Sequence, residues 1–108
     1  MGSKYTDKVR RLLEQYHELR ARQDVGDFDA TDVLIDLHYA IEGAGMTQKQ
    51  RQAFDAVFIR GMAQKDVAKA LGIAEMSLSN RLAFAVVKLA NILEAREYLD
   101  EAEALRID

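Results

Sequence analysis

An all-α protein is the fold class this sequence predicts, and three observations predict it. The 108 residues include no proline and only six glycines, while alanine, leucine, lysine, arginine and glutamate, the strong helix formers, are plentiful. Apolar residues recur at three- and four-residue spacing in every long segment, the period of a helix with one buried face. The breaks fall at short glycine-bearing stretches, which divide the chain into about five helices in one compact domain.

Residues 6–23 form the first expected helix, with Val9, Leu12, Leu13, Tyr16 and Leu19 on one stripe. Residues 24–29 are acidic and interrupted by glycine, so they read as a connection, with Asp29 or Thr31 capping the next helix. That second helix, over residues 30–42, places Val33, Leu34, Leu37 and Ile41 on one face, and Gly43-Ala44-Gly45 ends it. Residues 1–45 thus make an N-terminal helical hairpin. Thr47 then restarts the chain as an N-cap, with Gln50 completing a capping box and Met46 stapling onto the Arg51 stem or Phe54. The third helix, residues 48–60, buries Ala53, Phe54, Val57 and Phe58 or Ile59. After Gly61-Met62-Ala63, a short helix over residues 64–71 turns Val67, Ala68 and Leu71 inward, and Gly72 supplies the next turn. A last helix begins at Ala74 or Glu75 and buries Leu78, Leu82, Ala85, Val86, Leu89 and Leu93. The charged tail, residues 91–108, either extends this helix, breaks near Asn91 or frays.

Composition excludes several function classes. There is no cysteine, so neither a disulfide framework nor a thiolate metal site is available. No apolar run approaches the roughly 18 residues of a membrane span, which leads to the expectation of a cytoplasmic chain with no membrane partner. His17 and His38 have no cysteine or second histidine at ligand spacing, and Asp24, Asp27, Asp29 and Asp32 lack the offsets of a calcium loop. Ser77 and Ser79 have no His/Asp constellation, and no glycine loop is built for phosphates. The expectation is therefore no catalysis, no metal and no cofactor. The net charge of −3 hides a division. Residues 47–90 carry seven Lys/Arg against three Asp/Glu, whereas both ends are acidic. A basic middle between acidic ends points to a polyanion bound by the middle alone.

The basic middle holds the pattern that two crossed helices require. Between Gln64 and Leu89, Ala68 is small enough for a second helix to cross close above it. Gly72 can take the left-handed conformation, and Ile73, Leu78 and Leu82 lock the pair. The second helix then presents Glu75, Met76, Ser77, Ser79, Asn80 and Arg81 outward. In a major groove Asn reads adenine, Arg reads guanine or holds a phosphate, and Glu accepts from cytosine. Gln64, which opens the first of the two helices, is a further DNA-contact candidate, and Lys65, Lys69 and Lys88 are placed for phosphate contacts. Double-stranded DNA is the expected partner.

Residues 46–89 resemble region four of bacterial sigma factors and the related LuxR-type helix-turn-helix. The resemblance rests on the opening Met46-Thr47-x-x-Gln50-Arg51, on Arg60-Gly61-Met62-Ala63-Gln64-Lys65-Asp66-Val67-Ala68, on Leu71-Gly72-Ile73, and on Leu78-Ser79-Asn80-Arg81-Leu82-x-x-Ala85-x-x-Lys88-Leu89. It implies that residues 48–60 support the motif and that the helix beginning near Glu75 enters the major groove, with base-facing roles for Glu75, Met76, Ser77, Ser79 and Asn80. RNA polymerase is an implied partner. Residues 1–45 lack the aromatic and basic clusters that stack unpaired bases in the promoter-melting region, so a stand-alone module of the phage or bacterial regulator type is expected. Family members often carry a basic residue where Phe84 and Val87 stand, so this apolar pair is expected to pack on the tail, on the N-terminal helices or on a second copy in a homodimer. Two alternatives to a transcriptional regulator stay open: a terminase small subunit for DNA packaging, and a polymerase-binding adaptor.

Overall fold

The computed structural model describes residues 4–26 and 28–104, with side-chain surroundings for residues 6–26, 28 and 30–96. Among the described residues there are six α-helices and no strand. They are α1 (Lys4–Glu14), α2 (Tyr16–Asp24), α3 (Phe28–Gly43), α4 (Gln48–Phe54), α5 (Gln64–Leu71) and α6 (Glu75–Ala104), with a π-helical segment, Asp55–Ile59, continuing α4.

The N-terminal apolar stripe is divided between two helices. Gln15, at φ −92° and ψ 3°, breaks the helical path between α1 and α2. The break gives each half its own neighbour: α1 rests chiefly on α6 and α2 on α3. Val9, Leu13, Tyr16 and Leu19 are all buried, while Leu12 is only half-buried. The third helix starts at Phe28, two residues earlier than its apolar spacing suggests, so Thr31 lies inside the first turn rather than before it. Asp27 and the side chain of Asp29, expected as turn and cap residues, lie outside the described residues.

The restart at Thr47 forms as its chemistry requires. The Thr47 hydroxyl accepts from the Gln50 N–H at 3.1 Å, and the Gln50 side-chain oxygen accepts from the Thr47 N–H at 3.1 Å, which completes the capping box. Met46 is partly buried against the cluster that contains Phe54. After Phe54 the helix widens: the Arg60 N–H donates to the Asp55 carbonyl at 2.9 Å, a five-residue step that periodicity does not predict. Ala53 and Phe54 are buried as expected, but Val57, Phe58 and Ile59 are half-buried.

The interior consists of two clusters. The larger joins Val9, Leu13, Tyr16 and Leu19 of the first two helices to Leu34, Leu37 and Ile41 of α3, Phe54, and Ala85, Val86, Leu89 and Ala90 of α6. The smaller joins Ala53, Val67, Ala68, Leu78 and Leu82. Phe58 packs against both, with its ring 5.2 Å from that of Phe54. The tail extends α6 past Asn91 to Ala104. Arg96 ties α6 to α3, with its guanidinium 5.9 Å from the Tyr39 ring centroid and a hydrogen bond to the Asp36 carbonyl. No single helix among the described residues is long and apolar enough to cross a membrane.

Phe54 is fully buried where the support helix meets α6. Phe54→Ala is expected to cost about 3–5 kcal/mol of folding stability, read as a lower denaturation midpoint in urea. A loss below about 1 kcal/mol would show that this ring does not organise the core.

Candidate nucleic-acid interface

The crossing of α5 and α6 is built from small residues and one left-handed turn. Gly72 sits at φ 68° and ψ 33°, a conformation that costs side-chain-bearing residues about 1–2 kcal/mol. A Cβ at this position would meet nothing within 4 Å, so the requirement is conformational and not steric. The Ile73 N–H reaches back to the Ala68 carbonyl at 3.0 Å and the Gly72 N–H to the Lys69 carbonyl at 3.2 Å, the paired bonds of a Schellman termination. Val67 and Ala68 on α5 then meet Leu78 and Leu82 on α6, all four buried. The chain turns by 106° between the two helices, the angle range of a helix-turn-helix.

This crossing leaves the first two turns of α6 facing outward. Glu75, Met76, Ser77, Ser79 and Asn80 are all exposed, and Met76 is 76% exposed. The Ser79 hydroxyl lies 3.4 Å from the Gln64 side-chain oxygen, so Gln64 braces the first turn of α5 against α6. Lys65 and Lys69 project freely from α5, whereas Arg81 is half-buried on the flank of α6. Lys88 is placed differently from the other lysines. Its ammonium donates to the Gln50 side-chain oxygen at 2.8 Å and to the Gly45 carbonyl at 3.1 Å, which fastens α6 to the turn before α4. Arg60 and Lys49 are exposed and belong to the same basic segment, although no motif position singles them out.

Supporting contacts come from the N-terminal helices. A Cβ on Gly61, whose φ is +74°, would lie 3.0 Å from His17 Nε2, so α2 closes over the turn that precedes α5. Arg51 is engaged on both sides, at 3.0 Å from Asp55 and 2.9 Å from Glu42. The Arg51 hydrogen bond, assisted by its positive charge, holds the Glu42 carboxyl below its ordinary value. The same hydrogen bond raises Arg51. Phe84 is 63% and Val87 44% exposed, so this apolar pair is not covered by the N-terminal helices. The tail side chains from residue 97 onward lie outside the described residues. Among the described residues no group of three His, Cys, Asp or Glu is arranged to hold a metal.

Compared with known families, the sequence matches that of ECF sigma factors over residues 9–95. The chain belongs to the ECF sigma factor family. Searches of curated proteins and of solved structures find no significant match. ECF sigma factors are non-enzymatic and act in transcription initiation, with promoter DNA and RNA polymerase as partners. The match starts at Val9, so it takes in α1 from that residue together with α2 and α3, whereas the motifs that carry the resemblance begin only at Met46. Those motifs are turns and caps, and the N-terminal helices carry only amphipathic spacing, which any helical bundle shares. The match is to ECF sigma factors as a family and carries no phage or stand-alone identity.

Because the Glu42 carboxyl is lowered in the folded chain, its contact with Arg51 stabilises the fold above the ordinary glutamate range. That contribution fades as pH falls through the lowered value. In a carboxyl-carbon NMR titration Glu42 is expected to titrate below the usual glutamate range in the wild type and to return to it in Arg51→Gln. An unchanged midpoint would show that the ion pair does not persist in solution.

Proposed function

We propose that this ECF sigma factor family chain binds promoter DNA sequence-specifically, with the first two turns of α6 in the major groove. The observation that carries the reading is the 106° turn between α5 and α6, which leaves Glu75, Met76, Ser77, Ser79 and Asn80 outward while Leu78 and Leu82 are buried. In this reading those five side chains face base edges. Gln64 braces the motif, and Lys65 and Lys69, with Arg81 at the flank, hold phosphates and set the register. Lys88 contributes chiefly by holding α6 in place, with one N–H left over from its two internal bonds. The matched family acts in transcription initiation, which favours a promoter over a packaging substrate in this reading.

The polymerase contact is proposed on the outward face of α3. Phe28, Ile35 and Tyr39 are exposed along it, Phe28 at 82%, and Asp32 and Asp36 lie between them. An acidic face repels DNA. Its complement is an apolar protein groove rimmed with Lys or Arg. An adaptor that held polymerase through α3 but bound no duplex would be the alternative outcome.

Two measurements test these roles. In anisotropy titrations across a salt series, the double variant Lys65→Ala/Lys69→Ala is expected to weaken binding equally for all duplexes and to reduce the salt slope by about 2. An unchanged slope would remove both lysines from the phosphate contacts. In a co-purification assay with core RNA polymerase, Phe28→Ser/Ile35→Ser is expected to lose most of the bound chain while duplex affinity is unaltered. Full retention would move the polymerase contact elsewhere.

A further inference from the structure

Between Met76 and Val87 the outer face of α6 carries no formal charge, where a DNA-reading helix usually carries one; the exposed Glu94 comes only further along. On the side opposite Leu78 and Leu82 the chain places Met76, Asn80, Phe84 and Val87, all exposed. The basic side chains of the module lie elsewhere. Lys65 and Lys69 are on α5, and Arg81 is half-buried toward one flank. Lys88 is bonded to Gln50 and Gly45, and Arg51 is bonded to Asp55 and Glu42.

This distribution bears on which base pair the helix accepts. In the major groove guanine shows two acceptors, N7 and O6, and its strong reader is a cation that donates to both. No such group stands on the outer face. Adenine shows an acceptor, N7, beside a donor, the N6 amino group, and a carboxamide matches that pair with its own donor and acceptor. Asn80 is exposed in that position. Thymine adds a methyl group, for which a flexible, polarizable thioether is a suitable neighbour, and Met76 is 76% exposed one turn before Asn80. Four residues of helix rise by about 6 Å, close to two base-pair steps at about 3.4 Å each. Ser79 is already engaged with Gln64. Glu75, whose matching partner is the cytosine amino group, lies on the Ser79 flank and not beside Met76 and Asn80, so it leaves room for a G·C pair next to the core without setting the identity of the core.

We infer that this chain reads an A·T-bearing core, with the Asn80 carboxamide paired to an adenine and the Met76 side chain against a thymine methyl within about two base-pair steps. The inference rests on the DNA-binding reading above and adds the base identity to it.

The test uses the full chain to select duplexes from a randomised pool, followed by anisotropy titrations on the enriched duplex. Three probes are compared: the duplex itself, a version with uracil for the core thymine, and a version with 7-deazaadenine for the core adenine. Wild type is expected to enrich an A·T core and to lose about fivefold with uracil and about tenfold with 7-deazaadenine. Met76→Ala is expected to be indifferent to uracil, and Asn80→Ala to 7-deazaadenine. Both side chains are exposed, and thermal melts by circular dichroism verify that the variants fold. An enriched core of G·C pairs alone, or wild-type affinity unaffected by both base analogues, overturns the inference while leaving DNA binding intact. Absence of binding to any duplex overturns the DNA reading itself and this inference with it.

Discussion

One helix has to bury its apolar side twice, and the arrangement of the other helices depends on that demand. The first part of α6 sends Leu78 and Leu82 into the smaller cluster with α5, and the next part sends Ala85, Val86, Leu89 and Ala90 into the larger cluster with α1, α3 and Phe54. The exposed first turns and the buried spine therefore belong to the same helix. The sigma-factor match runs through this arrangement from Val9 onward, with α1 and α3 packed on the later turns of α6.

The polar contacts at the centre are few and shared. The Gln50 side-chain oxygen accepts from the Thr47 N–H and from the Lys88 ammonium, so the residue that starts α4 also receives α6. Arg51, the next residue, reaches back to Glu42 at the end of α3 and forward to Asp55. Exposed ion pairs of this kind add little to stability. They link α3 to α4, while the Lys88 bonds link α6 to the start of α4, and the apolar clusters supply the stability.

Elements defined by local chemistry were legible from the residues alone. Thr47 with Gln50, Gly72 with Ile73, and the bounds of α5 all rest on bonds within six residues, and each forms as expected. The elements that escaped depend on distant neighbours. The break at Gln15 coincides with a change of partner, from α6 for α1 to α3 for α2. The engagement of Lys88 depends on Gly45 and Gln50, which stand about forty positions earlier. The apolar stripe of α6 was readable, and Phe84 with Val87 stood out as an apolar pair, but that the N-terminal helices leave this pair uncovered depends on the packing.

The π-helical segment from Asp55 to Ile59 shows how the support helix meets two demands at once. A regular helix advances every side chain by the same angle, and α4 by itself already turns Ala53 to the smaller cluster and Phe54 to the larger one. The wide turn behaves like a vernier. It inserts a fraction of a rotation after Phe54, and the ring of Phe58 that follows touches both clusters. The cost is a wider hydrogen-bond step from Asp55 to Arg60, and the gain is one side chain that bridges the two halves of the interior.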